Sequence, residues 1–185
     1  MQYPKFARPI ITATLAIAFL TAATARAAAD AALEAVRKQA QACADAMLKG
    51  EFTKFIDMTH PKLVELMGGR DKMIESLKKG TTQMKAQGTT IVAFNVSAPT
   101  EVIPNGKEGQ LAIVPTHFEL KAGKTKITQA GYLLGCSSDA GRTWTFIDGA
   151  GVTDASSLKP FLGEVPKDLK LPAKTQPVIE AGDKK

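Results

Sequence analysis

From Asp30 to Lys49 the apolar positions Leu33, Val36, Ala40, Cys43 and Met47 recur at steps of three and four. That spacing puts them on one helical face and leaves Arg37, Lys38, Gln41 and Asp45 largely off it. Asp30 can cap the start, because its carboxylate accepts from the free N–H groups of a first turn, and Gly50 ends the helix. Glu51 to Met58 predicts a short second helix, with Phe52, Phe55 and Ile56 as its apolar contacts. His60-Pro61 restarts the chain; proline at the first helical position loses only an N–H that has no partner there. Leu63, Val64, Leu66 and Met67 fill a turn or two before Gly68-Gly69. Asp71 to Gln87 predicts a longer helix carrying Met73, Ile74, Leu77 and Met84, weakened at Gly80 and closed by Gly88.

After Gly88 the period changes to two. Ile91 to Ala98 alternates, with Val92, Phe94 and Val96 on one face, and Pro99 interrupts it. Glu101 to Ile103 predicts a short strand before the turn at Pro104-Asn105-Gly106. Leu111 to Leu120, Lys126 to Cys136 and Arg142 to Asp148 are three further strands, separated by turns at Ala122-Gly123 and Asp139-Ala140-Gly141. Helices first and then an antiparallel meander is the order of an α+β domain, with the N-terminal helices packed on a curved antiparallel sheet. Residues 149–162 should wrap the core edge through Leu158, Phe161 and Leu162. Residues 163–185 form a proline- and lysine-containing tail whose last ten or so residues read as disordered.

The N-terminus changes the picture of where this domain works. Lys5 and Arg8 precede an uncharged, apolar or small run from Ile10 to Ala23, and Ala25-Arg26-Ala27 is a small-x-small site. That is the order of a cleavable secretory signal over residues 1–27, with the domain following at 28–162. The run is shorter than the roughly 20 apolar residues a spanning helix needs, and no later segment is longer. No cysteine stands near the cut to accept a lipid. The short apolar run and the A-x-A site are of the bacterial type, pointing to the periplasm first and secretion second.

Charge and cysteine content exclude more than they assign. The chain carries a formal charge of +6, and the signal holds Lys5, Arg8 and Arg26 with no acid, so the mature protein is close to +3. Its lysines are scattered, without the dense basic patch and interleaved aromatics of a nucleic-acid binder. Cys43 and Cys136 are the only cysteines, with no CxxC and no Cys/His cluster, which argues against a metal site. No cofactor fingerprint is present either.

Two segments carry a family resemblance. One is Asp57-Met58-Thr59-His60-Pro61-Lys62-Leu63-Val64-Glu65-Leu66-Met67-Gly68-Gly69-Arg70. The other is Gly131-Tyr132-Leu133-Leu134 followed by Ser138-Asp139-Ala140-Gly141-Arg142-Thr143-Trp144-Thr145-Phe146-Ile147-Asp148. Together with the helix-then-meander order they resemble bacterial exported members of the nuclear transport factor 2-like superfamily, or cone fold, over Ala31 to Leu162. The resemblance implies a sheet curled around the helices with a pocket between them. Isomerases, cyclases, dehydratases and non-catalytic modules share that fold, so it does not decide the activity. In a cone the first helix packs on the concave face. Cys43 and Cys136 are then free to pair across it, or to remain two buried thiols.

Candidate chemistry follows from single positions. Asp57 and His60 sit about one helical turn apart and can line a pocket mouth as an acid/base pair, with Tyr132 as a third member; the plainer role for His60 is helix capping. Phe94, Phe118, Tyr132, Trp144 and Asp148 are the groups expected around a concave ligand pocket, apolar walls with a few polar tips. His117 and Glu119 should face outward. Ser137 to Trp144 fits the S-x-D-x-G-x-T-W pattern; a single copy reads as one hairpin rather than a propeller blade. Three functions remain in view. The first is an exported non-catalytic module that binds a small apolar ligand or an envelope partner protein. The second is an isomerase- or lyase-type enzyme using Asp57 and His60, and the third is a homodimerising assembly module.

Overall fold

The computed structural model describes residues 14–107 and 109–181. The chain divides into two units, Met1–Ala31 and Ala32–Lys185. Residues 1–13 of the expected signal lie outside the described residues; Thr14 to Ala27 belong to the first helix, α1 (Thr14–Lys49). No Gly or Pro interrupts that helix, and its alanine-rich middle loses no side-chain entropy on becoming helical. Asp30, expected to cap a helix start, therefore lies inside a continuous helix.

Within the second unit, α1 is followed by α2 (Phe52–Asp57), α3 (Pro61–Leu66) and α4 (Arg70–Ala86), each near its predicted span. The strands are β1 (Thr89–Val96), β2 (Ile103–Asn105), β3 (Gly109–Ala122), β4 (Thr125–Ser137), β5 (Thr145–Asp148) and β6 (Val178–Glu180). They form one antiparallel sheet, strongly curled into a half-barrel with helices packed against it, so the α+β fold class holds. The long β3–β4 hairpin is its spine, in unbroken register from Gln110↔Ser137 to Ala122↔Thr125. β1 and β2 flank β3, while β5 and β6 flank β4. The register of β1 slips between Ile91 and Ala93, and Val92 is turned out to solvent at the bulge. A bulge adds a residue to one strand and breaks its alternation, so Val92 does not share the face of Phe94 and Val96.

Both faces of the spine are buried. One face packs Ala112, Val114, Leu133, Trp144 and Phe146 against Ala32, Val36, Ala40 and Cys43 of α1. Gly135 makes this approach close: a Cβ there would stand 2.9 Å from Val36 Cγ2 and 3.1 Å from Trp144 Cε3. The opposite face packs Ile103, Leu111, Tyr132, Leu134, Cys136 and Ile147 under Val152, Leu158 and Leu169. Short 3-10 turns at Gly149–Gly151 and Ala155–Leu158 and the helix α5 (Lys159–Leu162) lay this cover down. Leu111, Leu134 and Leu158 are almost wholly sequestered, each contributing about 1.5–3 kcal/mol of transfer free energy.

Two expectations are corrected here. Tyr132, Leu134 and Cys136 do share a face, but it is the face away from α1. Alternation separates the two faces of β4, yet both are apolar, so it does not say which one meets the helix. The tail is also more structured than its composition implies. Leu169 is buried, and Val178–Glu180, within the stretch expected to be disordered, pair with Lys126–Thr128 as β6.

Candidate functional site

The hairpin between β4 and β5 is held by one carboxylate. Asp139 Oδ1 accepts from Ser137 Oγ (2.9 Å), Arg142 N (3.1 Å) and Thr143 N (2.9 Å), and Oδ2 accepts from Thr143 Oγ1 (2.7 Å). Those donors, Thr143 foremost, pull its pKa down to about 2. Gly141 has φ +83°, a region that L side chains rarely adopt, and the indole of Trp144 donates to its carbonyl at 2.9 Å. All the polar groups of the Ser137–Trp144 pattern are thus spent on the turn itself. One partner was not foreseen: Gln39 of α1 donates to Arg142 O (2.9 Å) and accepts from Trp144 N (2.8 Å), fastening helix to hairpin. A lone glutamine off the apolar face carries no sequence signal for such a long-range clip.

Of the proposed acid/base set, Asp57 is committed to another side chain. Asp57 is exposed and forms an ion pair with Arg70, whose guanidinium lowers its pKa. A carboxylate so stabilised is a poor general base. His60 starts α3, donates its backbone N–H to Phe146 O at 2.9 Å and packs its ring edge-on against Phe161, with 6.1 Å between centroids. Its side chain makes no capping bond; Nδ1 is buried without a partner, and burial lowers the imidazole pKa. Tyr132 lies in the core on the face away from α1, against which Leu63 and Phe161 also pack, and burial and the charge of Asp148 raise its pKa. No hydrogen bond joins any two of Asp57, His60 and Tyr132 among the described residues.

Phe94, Phe118 and Trp144, expected around a ligand pocket, pack against other side chains, and Asp148 caps a turn. Phe94 and Phe118, paired across β1 and β3, meet edge to face at 5.4 Å. Trp144 is almost wholly buried in the α1 core, and Asp148 accepts from Ala150 N (2.9 Å) as the cap of a 3-10 turn. Beneath α1 the sheet face is covered by Val36, Ala40 and Cys43. Cys43 and Cys136 are both free, both buried, and in separate cores on the two faces of the sheet. The sheet stands between them, so the disulfide does not form, and burial pushes each thiol up to about 12. His117 faces solvent and Glu119 pairs with Lys126 at 3.0 Å, as expected of an outer strand surface.

Two cavities lie elsewhere. The first, ≈ 350 Å³, opens where the end of α1 meets α2, α4 and the start of β1. Met47, Leu48, Phe52, Met84 and Ile91 form its apolar lining; Lys49, Lys78 and Lys85 and four threonines form its polar rim, and no acidic residue lines it. Its outer wall is α4, 17 residues long with none fully buried, held against α2, α3 and β1. The second cavity, ≈ 380 Å³, lies between Tyr132, Val152, Asp154 and the tail residues Leu169, Leu171 and Lys174. The tail is tied across it by Lys174 Nζ to Ala150 O (3.2 Å) and Thr175 Oγ1 to Ala130 O (3.0 Å). Of the residues expected around a pocket, Tyr132 alone lines one of these two cavities. Sequence reading missed the first one because its lining comes from four separate elements.

Among the described residues no group of His, Cys, Asp and Glu is arranged to hold a metal ion, and no helix is long and apolar enough to cross a membrane. No protein-family model, no curated protein and no solved structure matches the chain.

Proposed function

We propose that this protein is a non-catalytic binding module for a small, largely apolar ligand, held in the cleft between α1, α2, α4 and β1. The observation that carries the reading is the cleft itself. Five apolar side chains line it beside three lysines and four threonines, and its ≈ 350 Å³ falls within the range of small-molecule sites. Met47 and Met84 supply unbranched, adaptable surface for a flexible guest. The enzyme reading has less support, because Asp57 is bound to Arg70 and no hydrogen bond joins it to His60 or Tyr132 among the described residues. The signal-like N-terminus supports an activity outside the cytoplasm, in the periplasm or secreted. The resemblance to the cone-fold superfamily belongs to the same proposal and rests on the two quoted segments and the curled sheet.

Native mass spectrometry of protein purified from its host tests the reading. A retained small molecule, lost on Thr90→Trp at the cleft wall, is the expected result. No retained ligand, together with no binding in a lipid and metabolite screen, would refute it. N-terminal sequencing of the same material should begin at Ala28; an intact Met1 would remove the export proposal.

A further inference from the structure

We infer that the ligand of this cleft is a single-chain anionic amphiphile of the fatty-acid type, its carboxylate held by Lys49, Lys78 and Lys85. This rests on the reading of the cleft as the binding site and adds the chemistry of the guest.

The charge balance at the rim carries the inference. Lys49 stands in the last turn of α1 and Lys85 in the last turn of α4, so part of their charge answers the helix dipoles. Each helix C-terminus presents about half a negative elementary charge, and two of them offset about one lysine. Three ammonium groups therefore leave a surplus of about two positive charges at the mouth. None of the three makes an ion pair among the described residues, whereas every glutamate or aspartate in an ion pair there is matched to a different lysine or arginine. A neutral apolar guest leaves those exposed ammonium groups to water; an anionic head adds charge-assisted hydrogen bonds.

The size of the cavity limits the rest of the guest. A volume of ≈ 350 Å³ is near the lower end of ligand sites and takes one acyl chain rather than two. Met47, Leu48, Phe52, Met84 and Ile91 give the chain its apolar contacts. The wall that must yield to admit it is α4, whose half-buried Met73, Ile74, Leu77 and Met84 are never fully covered. A helix with so little buried surface opens at low free-energy cost, as ligand-binding elements require.

Isothermal titration calorimetry on the full chain with laurate, lauryl alcohol and acetate decides the matter. Laurate should bind at least about tenfold tighter than lauryl alcohol, acetate should not bind measurably, and raising the salt should weaken only laurate. The combined variant Lys49→Gln, Lys78→Gln, Lys85→Gln should bring laurate down to the affinity of the alcohol. These lysines are exposed, so far-UV circular dichroism should be unchanged. Thr82→Trp, at an exposed position on α4 that lines the cleft, should abolish both. Equal affinity for laurate and lauryl alcohol overturns the anionic head and leaves the apolar binding site standing. Failure of both to bind overturns site and guest together. Laurate binding that survives Thr82→Trp overturns the location.

Discussion

Replacing Gly135 by alanine tests the seat of α1 on the sheet. The new methyl would stand 2.9 Å from Val36 Cγ2, 3.1 Å from Trp144 Cε3 and 3.4 Å from Phe146 Cε1. Carbon atoms at ease stay about 3.5–4.0 Å apart, so the first two contacts are too close by roughly half an ångström. None of the three neighbours has room to retreat: Val36 is 0% exposed, Trp144 2% and Phe146 3%. Overpacking of this kind costs about 1–3 kcal/mol, and the lower chain entropy of alanine returns about 0.4–1 kcal/mol of it. A net loss of about 1–2 kcal/mol is expected, or about 2–4 °C in Tm per kcal/mol for a chain of this length. Urea unfolding followed by far-UV circular dichroism and by the fluorescence of Trp144, the chain's one tryptophan, gives the value. Val36→Ala removes the nearest clash. In that background Gly135→Ala should cost at least about 0.5 kcal/mol less than in the wild type. A loss below about 0.5 kcal/mol in the wild type, or strict additivity of the two substitutions, would refute the seating of Val36 over Gly135.

Three further predictions follow from titrating and reactive groups. Asp139, held at a pKa of about 2 against an ordinary 3.8, contributes stability that is complete above about pH 4 and vanishes as the pH falls through about 2. Its carboxyl carbon should titrate near 2 by NMR; a midpoint near 4 would mean the hairpin bonds are absent in solution. His60 is shifted the opposite way from a stabilised cation. Burial lowers its folded pKa, so its protonation favours the unfolded chain, and stability declines as the pH falls below its ordinary 6.5. His60→Gln should flatten the decline in urea midpoint between about pH 6.5 and about pH 5, and an unchanged slope would contradict the burial. Cys43 and Cys136, with thiols pushed up to about 12, should resist iodoacetamide in the native protein at about pH 8 and react fully in denaturant. A Cys43–Cys136 disulfide found by mass spectrometry would show that the two do not lie on opposite faces of the sheet.

Local chemistry made much of the fold legible. Helical periodicity marked α2, α3 and α4, and alternation with Gly and Asp turns marked the β3–β4–β5 meander, because these signals need only neighbours along the chain. The Ser137–Trp144 hairpin was legible for the same reason: every bond of Asp139 is to a residue within four positions. Three features were not, and each depends on a partner far away in sequence. The face that Tyr132 and Cys136 take was settled by register and by the small Gly135, which turns the other face of β4 toward α1. The cleft was assembled from residues near 50, near 80 and near 90, none of which has a ligand motif of its own. The paired tail strand depends on Lys126–Thr128 offering a free edge.

The sequence alone therefore determined the element types, the α+β class and the hairpin. It also carries the signal-like pattern that motivates the export proposal. Tertiary structure alone decided which of two apolar sheet faces met the helix. That choice kept the two cysteines apart, filled the space beneath α1, and left the lysine-rimmed cleft as the candidate site. The physical reason is common to all of these. Periodicity reports which residues share a face, whereas burial against a particular partner depends on how the faces of distant elements fit.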